Sequence, residues 1–110
     1  MDKKQSIAAF DALSQETRLD ALRLLIQAGP EGIAAGEVGE RLGIKQNTMS
    51  ANLKVLMQAD LVTTVRDGRS IRYVANYTAV QGLVLFLMKD CCGGRQDLCQ
   101  PVLDQLVCEC

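Results

Sequence analysis

Apolar residues recur at helical spacing through the first half of the chain. Ile7 and Phe10 share one side of a helix expected over about Lys4 to Leu13. Leu19, Leu22 and Ile26 then repeat at i, i+3 and i+7, with Leu25 beside them, and predict a second helix. Ser14 is its expected N-cap, because a side-chain oxygen can accept from an otherwise unpaired backbone N–H, and Gly29-Pro30 stops it. Val38 and Leu42, four apart, predict a short helix over Ala35 to Leu42. Gly43 turns the chain, and Met49, Leu53 and Leu56 form the buried row of a longer helix starting near Lys45 or Gln46. Two helices joined by a tight glycine turn make a helix-turn-helix pattern.

After Ala59-Asp60 the period changes. Leu61 to Val65 is rich in β-branched residues, Arg66-Asp67-Gly68-Arg69 supplies an Asp-Gly turn, and Ser70 to Ala75 returns as a second strand. A basic hairpin directly after a helix-turn-helix is a wing. Val80, Leu83, Val84 and Leu87 then place a last helix over about Ala79 to Asp90, with Leu85, Phe86 and Met88 filling its other faces. One side of that helix can cover its own domain and the other needs a partner. The expected architecture is mainly α with a β-hairpin wing, a winged helix-turn-helix that forms a homodimer through its first and last helices. Residues 1–92 are expected to form the DNA-binding and dimerisation domain, and residues 93–110, after the break at Gly93-Gly94, a cysteine-rich C-terminal tail.

At 110 residues one domain is the expectation, and its modest core leaves apolar surface that favours a dimer. No apolar stretch reaches the roughly 20 residues that span a bilayer, and the start, Met1-Asp2-Lys3-Lys4-Gln5, lacks the apolar core of a signal peptide, so no membrane partner and a cytoplasmic location are expected. Histidine is absent, which removes Ser-His-Asp and Cys-His catalysis and every imidazole metal site. No enzyme is expected.

Net charge is only −1, but its distribution is uneven. Between Arg41 and Tyr73 six basic residues face two acidic ones, a surplus of four, which leaves −5 for the rest. A basic middle on an acidic body suits a surface that meets double-stranded DNA. On the fourth helix, the face opposite Met49-Leu53-Leu56 carries Gln46, Asn47, Thr48, Ser50, Ala51 and Lys54, with Lys45 at its start. Short hydrogen-bonding side chains at a helix N-terminus suit base edges in the major groove. Arg66, Arg69 and Arg72 on the wing would reach phosphates or the neighbouring minor groove.

All five cysteines, Cys91, Cys92, Cys99, Cys108 and Cys110, fall in the last 20 residues. An odd, clustered set is a poor extracellular disulfide framework and a better set of ligands or redox centres. Cys91 and Cys92 stand together at a helix end, and the glycine pair after them lets Cys99 fold back within reach. Thiolates favour thiophilic centres, and a trivalent metalloid held by three of them is neutral, whereas zinc in four carries −2. Four readings of the cluster stand at this point: a trivalent arsenic or antimony site, a thiol-redox switch, a zinc site drawing on Cys108 or Cys110, and inert cysteines.

Over nearly the whole chain the residues resemble the arsenic-responsive repressors of the ArsR/SmtB family. Leu13-Ser14-Gln15-Glu16-Thr17-Arg18-Leu19 is similar to the family's opening motif. Leu42-Gly43-Ile44 followed by Asn47 to Leu56 is similar to its recognition helix, and Ala59-Asp60-Leu61-Val62 with Gly68-Arg69 completes the match. The resemblance implies a dimeric repressor of a metalloid-resistance operon that leaves its operator when inducer binds. The Cys-x-Cys pair of the founding arsenic sensors is missing, since Ile33-Ala34-Ala35-Gly36-Glu37-Val38 stands there, and so are the histidines of the zinc sensors. A subgroup carries a vicinal pair plus a third cysteine after the last helix. By that resemblance Cys91, Cys92 and Cys99 are the expected ligands for arsenic(III) or antimony(III). A thiol-redox or zinc-responsive regulator with the same DNA-binding mode is the alternative.

Overall fold

A computed structural model describes residues 1–89 and 96–106. In chain order its elements are α1 (Lys3–Leu13), α2 (Glu16–Ala28), β1 (Ile33–Ala34), α3 (Ala35–Leu42), α4 (Gln46–Gln58), β2 (Val62–Asp67), β3 (Ser70–Ala75), α5 (Tyr77–Met88) and α6 (Gln96–Gln105). α1 opens with a reciprocal capping box. The Asp2 carboxylate accepts from the Gln5 amide at 2.7 Å, and the Gln5 side chain accepts from the Asp2 amide at 2.9 Å.

The cap of α2 differs from expectation. Gln15, not Ser14, is the N-cap, its side-chain oxygen accepting from the Arg18 amide at 2.9 Å. Ser14 instead closes α1, donating its hydroxyl to the Asp11 carbonyl at 2.6 Å. Because α2 begins at Glu16, the capping position falls on Gln15, one residue after Ser14. The apolar stripe on α2 is also rotated from the expected one. Ala21, Leu22 and Leu25 are buried, whereas Leu19 is exposed.

α3 and α4 match the expected helix-turn-helix, and the turn at Gly43 is closed by the Ile44 amide donating to the Gly39 carbonyl at 2.9 Å. Met49, Leu53 and Leu56 are fully buried, as their spacing predicts. They pack with Leu25, Ile33, Val38 and Leu61 into one core that also takes in Ala9, Ala12 and Leu83. Burial of a side chain of this size contributes about 1.5–3 kcal/mol, so this cluster is the principal source of stability.

The wing is longer than expected and its turn lies one residue further on. Asp67 pairs with Ser70, so Gly68-Arg69 is the two-residue loop. Gly68, at its first central position, has a φ of 63°, which costs glycine nothing. The sheet has a third member that the apolar pattern does not announce. β1 pairs antiparallel with β3, Ile33 opposite Tyr73 and Ala34 opposite Arg72, giving the order β1-β3-β2. Two residues are too few to show a period.

α5 starts two residues before its expected position, capped by the Asn76 side chain, which accepts from the Ala79 amide at 3.2 Å. The Asn76 amide group also donates to the Asp60 carbonyl at 2.9 Å, and so ties the end of α4 to the start of α5. Leu83 is its buried residue, while Val84, Leu85, Phe86 and Leu87 are exposed. In the segment expected as a tail lies α6, an amphipathic helix with Leu98 and Val102 exposed, followed by the exposed Leu106. No helix of the described residues is long and apolar enough to cross a membrane.

Candidate nucleic-acid interface

The core decides which face of α4 meets solvent. With Met49, Leu53 and Leu56 turned inward, Gln46, Asn47, Thr48, Ser50, Ala51 and Lys54 are all exposed, as is Lys45 at the N-cap. The expected reading face is thus brought together on one side of one helix. Lys45 makes no side-chain cap, and Asn47 accepts from the neighbouring Thr48 amide at 2.9 Å. The helix therefore begins with its positive end lightly covered, as suits an approaching phosphate.

Asn52 lies between the buried and exposed faces and was not among the expected functional residues. Its side-chain oxygen accepts from Arg18 Nη1 at 3.2 Å, and its NH2 donates to the Thr48 carbonyl at 3.1 Å. The same guanidinium donates through Nε to the Ala12 carbonyl near the end of α1 at 2.6 Å. Arg18 thus joins α1, α2 and α4. Each had a sequence signal only as part of a motif, Arg18 in the Leu13 to Leu19 stretch and Asn52 in the Asn47 to Leu56 stretch, and neither signal says that the two side chains meet.

The three wing arginines separate. Arg66 and Arg69 are exposed at the outer end of the hairpin. Arg72 is half-buried, with Nε donating to the Glu31 carbonyl at 2.8 Å and Nη2 to the Gly32 carbonyl at 3.1 Å. Its guanidinium fastens the turn before β1 to β3 and so supports the wing at its base. Outside the wing, Arg41 forms an exposed pair with Glu37 on its own helix at 3.3 Å, which contributes little.

A second face is apolar. Ile7 and Phe10 on α1 are exposed, and so are Val84, Leu85, Phe86 and Leu87 on α5. These are the two helices from which a dimer contact was expected. The hydroxyl of Tyr77, at the start of α5, donates to the Ile26 carbonyl at 2.9 Å and sets α5 against the end of α2.

Of the expected thiol ligands, Cys99 lies on α6, half-buried and disulfide-bonded. Cys91 and Cys92 lie outside the described residues, as do Cys108 and Cys110. Among the described residues no group of three or more His, Cys, Asp or Glu side chains is placed to hold a metal ion.

The chain matches a helix-turn-helix domain family over residues 13–65, which runs from the end of α1 into the wing. It is 32% identical over 89 residues to the transcriptional repressor SdpR of Bacillus subtilis strain 168, a match covering 81% of this chain and 96% of that one. It is also 42% identical over 66 residues to the HTH-type transcriptional regulator YceK of the same organism, covering 60% of this chain and spanning 64% of that relative's length. Among solved structures, an ArsR-like transcriptional regulator from Rhodococcus sp. RHA1 is similar with a TM-score of 0.71 at 26% identity, covering 97% of this chain and 96% of that one. The AntR antimony-specific transcriptional repressor is similar with a TM-score of 0.58 at 26% identity, covering 74% and 72% of the two chains.

Proposed function

The chain belongs to the winged helix-turn-helix family of transcriptional regulators, and from that membership we propose a homodimeric repressor of the ArsR type that leaves its operator when trivalent arsenic or antimony is bound near the C-terminus. The observation that carries the DNA reading is the exposed polar face of α4, backed by its fully buried apolar row and followed by a basic wing. Lys45, Gln46, Asn47, Thr48, Ser50, Ala51 and Lys54 would meet the major groove, Gln and Asn addressing adenine edges and Lys guanine or phosphate. Arg66 and Arg69 would meet backbone or minor groove, and Arg72 would hold the wing in position for them. In a dimer the two α4 helices would stand about 34 Å apart, the spacing of successive major grooves on a palindromic site.

Dimerisation is supported by the exposed apolar residues of α1 and α5. For the inducer, support comes from donor chemistry: five cysteines within the last 20 residues and no histidine anywhere. Cys91, Cys92 and Cys99 would hold the metalloid, which supplies three bonds to soft thiolates. Cys99 must be reduced to serve. Segment 93–110 would then be the sensing element on a domain of residues 1–92. A differential preference of about 1–3 kcal/mol between the two states of the dimer would change DNA affinity about 5–150-fold. The likeness to an antimony-specific repressor supports this reading.

The disulfide at Cys99 favours a second reading, in which thiol oxidation rather than metalloid binding sets the affinity for DNA. Fluorescence anisotropy of reduced protein on a duplex that it selects from a randomised pool, titrated separately with arsenite, zinc and a thiol oxidant, decides between them. Release by arsenite alone, lost in Cys91→Ser, Cys92→Ser or Cys99→Ser, is the expected result. Release by oxidant alone establishes the redox reading, and undiminished arsenite response in all three serine variants refutes the ligand assignment.

A further inference from the structure

We propose that Arg18 and Asn52 are positioning residues for DNA recognition, a clamp that sets the reading helix against the helices of the dimer face without either residue contacting DNA. The inference rests on α4 being the DNA-reading helix. The guanidinium of Arg18 leaves the first turn of α2 and splits its donors, Nε to the Ala12 carbonyl of α1 at 2.6 Å and Nη1 to the Asn52 side chain of α4 at 3.2 Å. Ala12 is among the last residues of α1, whose final carbonyls have no partner within the helix, so the bond to Nε replaces one the helix cannot make. Asn52 is in turn held from behind, because its NH2 donates to the Thr48 carbonyl. Thr48 is on the exposed reading face, one turn earlier on α4.

The other end of α2 is also fastened. Tyr77 of α5 donates its hydroxyl to the Ile26 carbonyl at 2.9 Å. α2 is therefore bonded to α1 and α4 near its start and to α5 near its end. Arg18 is the one residue whose side chain bonds at once to a helix of the apolar face and to the helix of the polar face among the described residues. Packing through smooth apolar side chains leaves a helix some freedom to rotate or slide. A planar guanidinium with two fixed donors removes it, and base readout tolerates displacements of only about 0.5 Å. Both residues are half-buried and bonded across helices, which is what distinguishes them from the exposed side chains of Gln46 and Lys54.

The test uses a duplex selected from a randomised pool by the wild-type protein, with poly(dI-dC) as non-specific DNA, and anisotropy at several salt concentrations. Arg18→Met and Asn52→Ala are each expected to lower affinity for the selected duplex about tenfold, within the range of interaction energies between contacting residues. Affinity for poly(dI-dC) and the slope of log affinity against log salt stay at wild-type values. The double variant loses less than the sum of the two single losses, because both substitutions break the shared Arg18–Asn52 bond. Arg18→Lys, a single point donor in place of a fork, falls between wild type and Arg18→Met. A salt slope smaller by about 0.9 in Arg18→Met would make Arg18 a direct phosphate contact and overturn the proposal. Additive losses, or unchanged affinity in Asn52→Ala, overturn it equally. If Arg18→Met does not fold, Asn52→Ala and Arg18→Lys carry the same comparison. A wild-type protein that selects no sequence removes the DNA reading itself, and this proposal with it.

Discussion

Gly32 stands where the turn before β1 passes under β3, and replacing it with alanine should be more costly than the same change at Gly68. Its φ is +74°, and a Cβ there would lie 2.6 Å from the Tyr73 carbonyl oxygen and 2.8 Å from a Val74 methyl. Gly68, at the wing turn, has a similar φ of +63° but nothing within 4 Å of the corresponding position. The pair separates two costs. A left-handed conformation for a residue with a Cβ costs about 1–2 kcal/mol, and Gly68→Ala should cost that much alone. Gly32→Ala adds the displacement of packed backbone, about 1–3 kcal/mol by analogy with overfilled cores, for a total of about 2–5 kcal/mol. Arg72 would suffer too, since one of its donors ends on the Gly32 carbonyl at 3.1 Å. Urea unfolding followed by circular dichroism measures both variants, with the midpoint falling at an unchanged slope. Should Gly32→Ala prove no less stable than Gly68→Ala, the close approach of β3 to this turn is refuted, and with it the account of how the wing is anchored.

Asn76→Ala removes both the cap of α5 and the bond to the Asp60 carbonyl, so a loss of about 1–2 kcal/mol is expected in the same unfolding assay. The wing arginines should divide between DNA contact and support of the fold. Arg69→Ala lowers the salt slope of DNA binding by about 0.9 and leaves the unfolding midpoint in place. Arg72→Ala lowers the stability by about 1–3 kcal/mol, and the midpoint with it, because the Glu31 and Gly32 carbonyls lose their donors. Leu85→Glu, on the exposed side of α5, should shift the protein from dimer to monomer in sedimentation without unfolding it. A Leu85→Glu protein that sediments as wild type would place any dimer contact elsewhere.

The helices and the hairpin were readable because their signals are local. The spacing of Met49, Leu53 and Leu56 specifies one buried face for α4, and all three are fully buried. The exposed polar face opposite follows from the same 3.6-residue period, so the expected reading face could be named residue by residue. The Asp-Gly pair located the wing turn to within one residue, and the all-round apolar character of Val80 to Met88 identified a helix with a face left over.

Local signals ran out where two side chains compete for one place. Ser14 and Gln15 could each cap α2, and the place fell to Gln15, which stands directly before the first helical residue Glu16, while Ser14 closes α1 through the Asp11 carbonyl. On α2 a run of leucines offered more than one stripe, and only packing into the shared core selected Leu22 and Leu25 over Leu19.

By itself, then, the sequence determined the order of the elements, the inward face of α4 and the position of the basic hairpin, since each depends on periods and turn residues within a few positions of one another. The tertiary structure alone decided what the arginines do. Arg18 meets Asn52 across 34 positions, and Arg72 meets Glu31 across 41. A guanidinium carries the same charge whether it is exposed to solvent or bonded to carbonyls inside the fold, so composition and spacing cannot distinguish the two. Distance in space can, and it divides an apparently uniform basic stretch into exposed groups on the expected DNA surface and fastened groups that hold that surface in place.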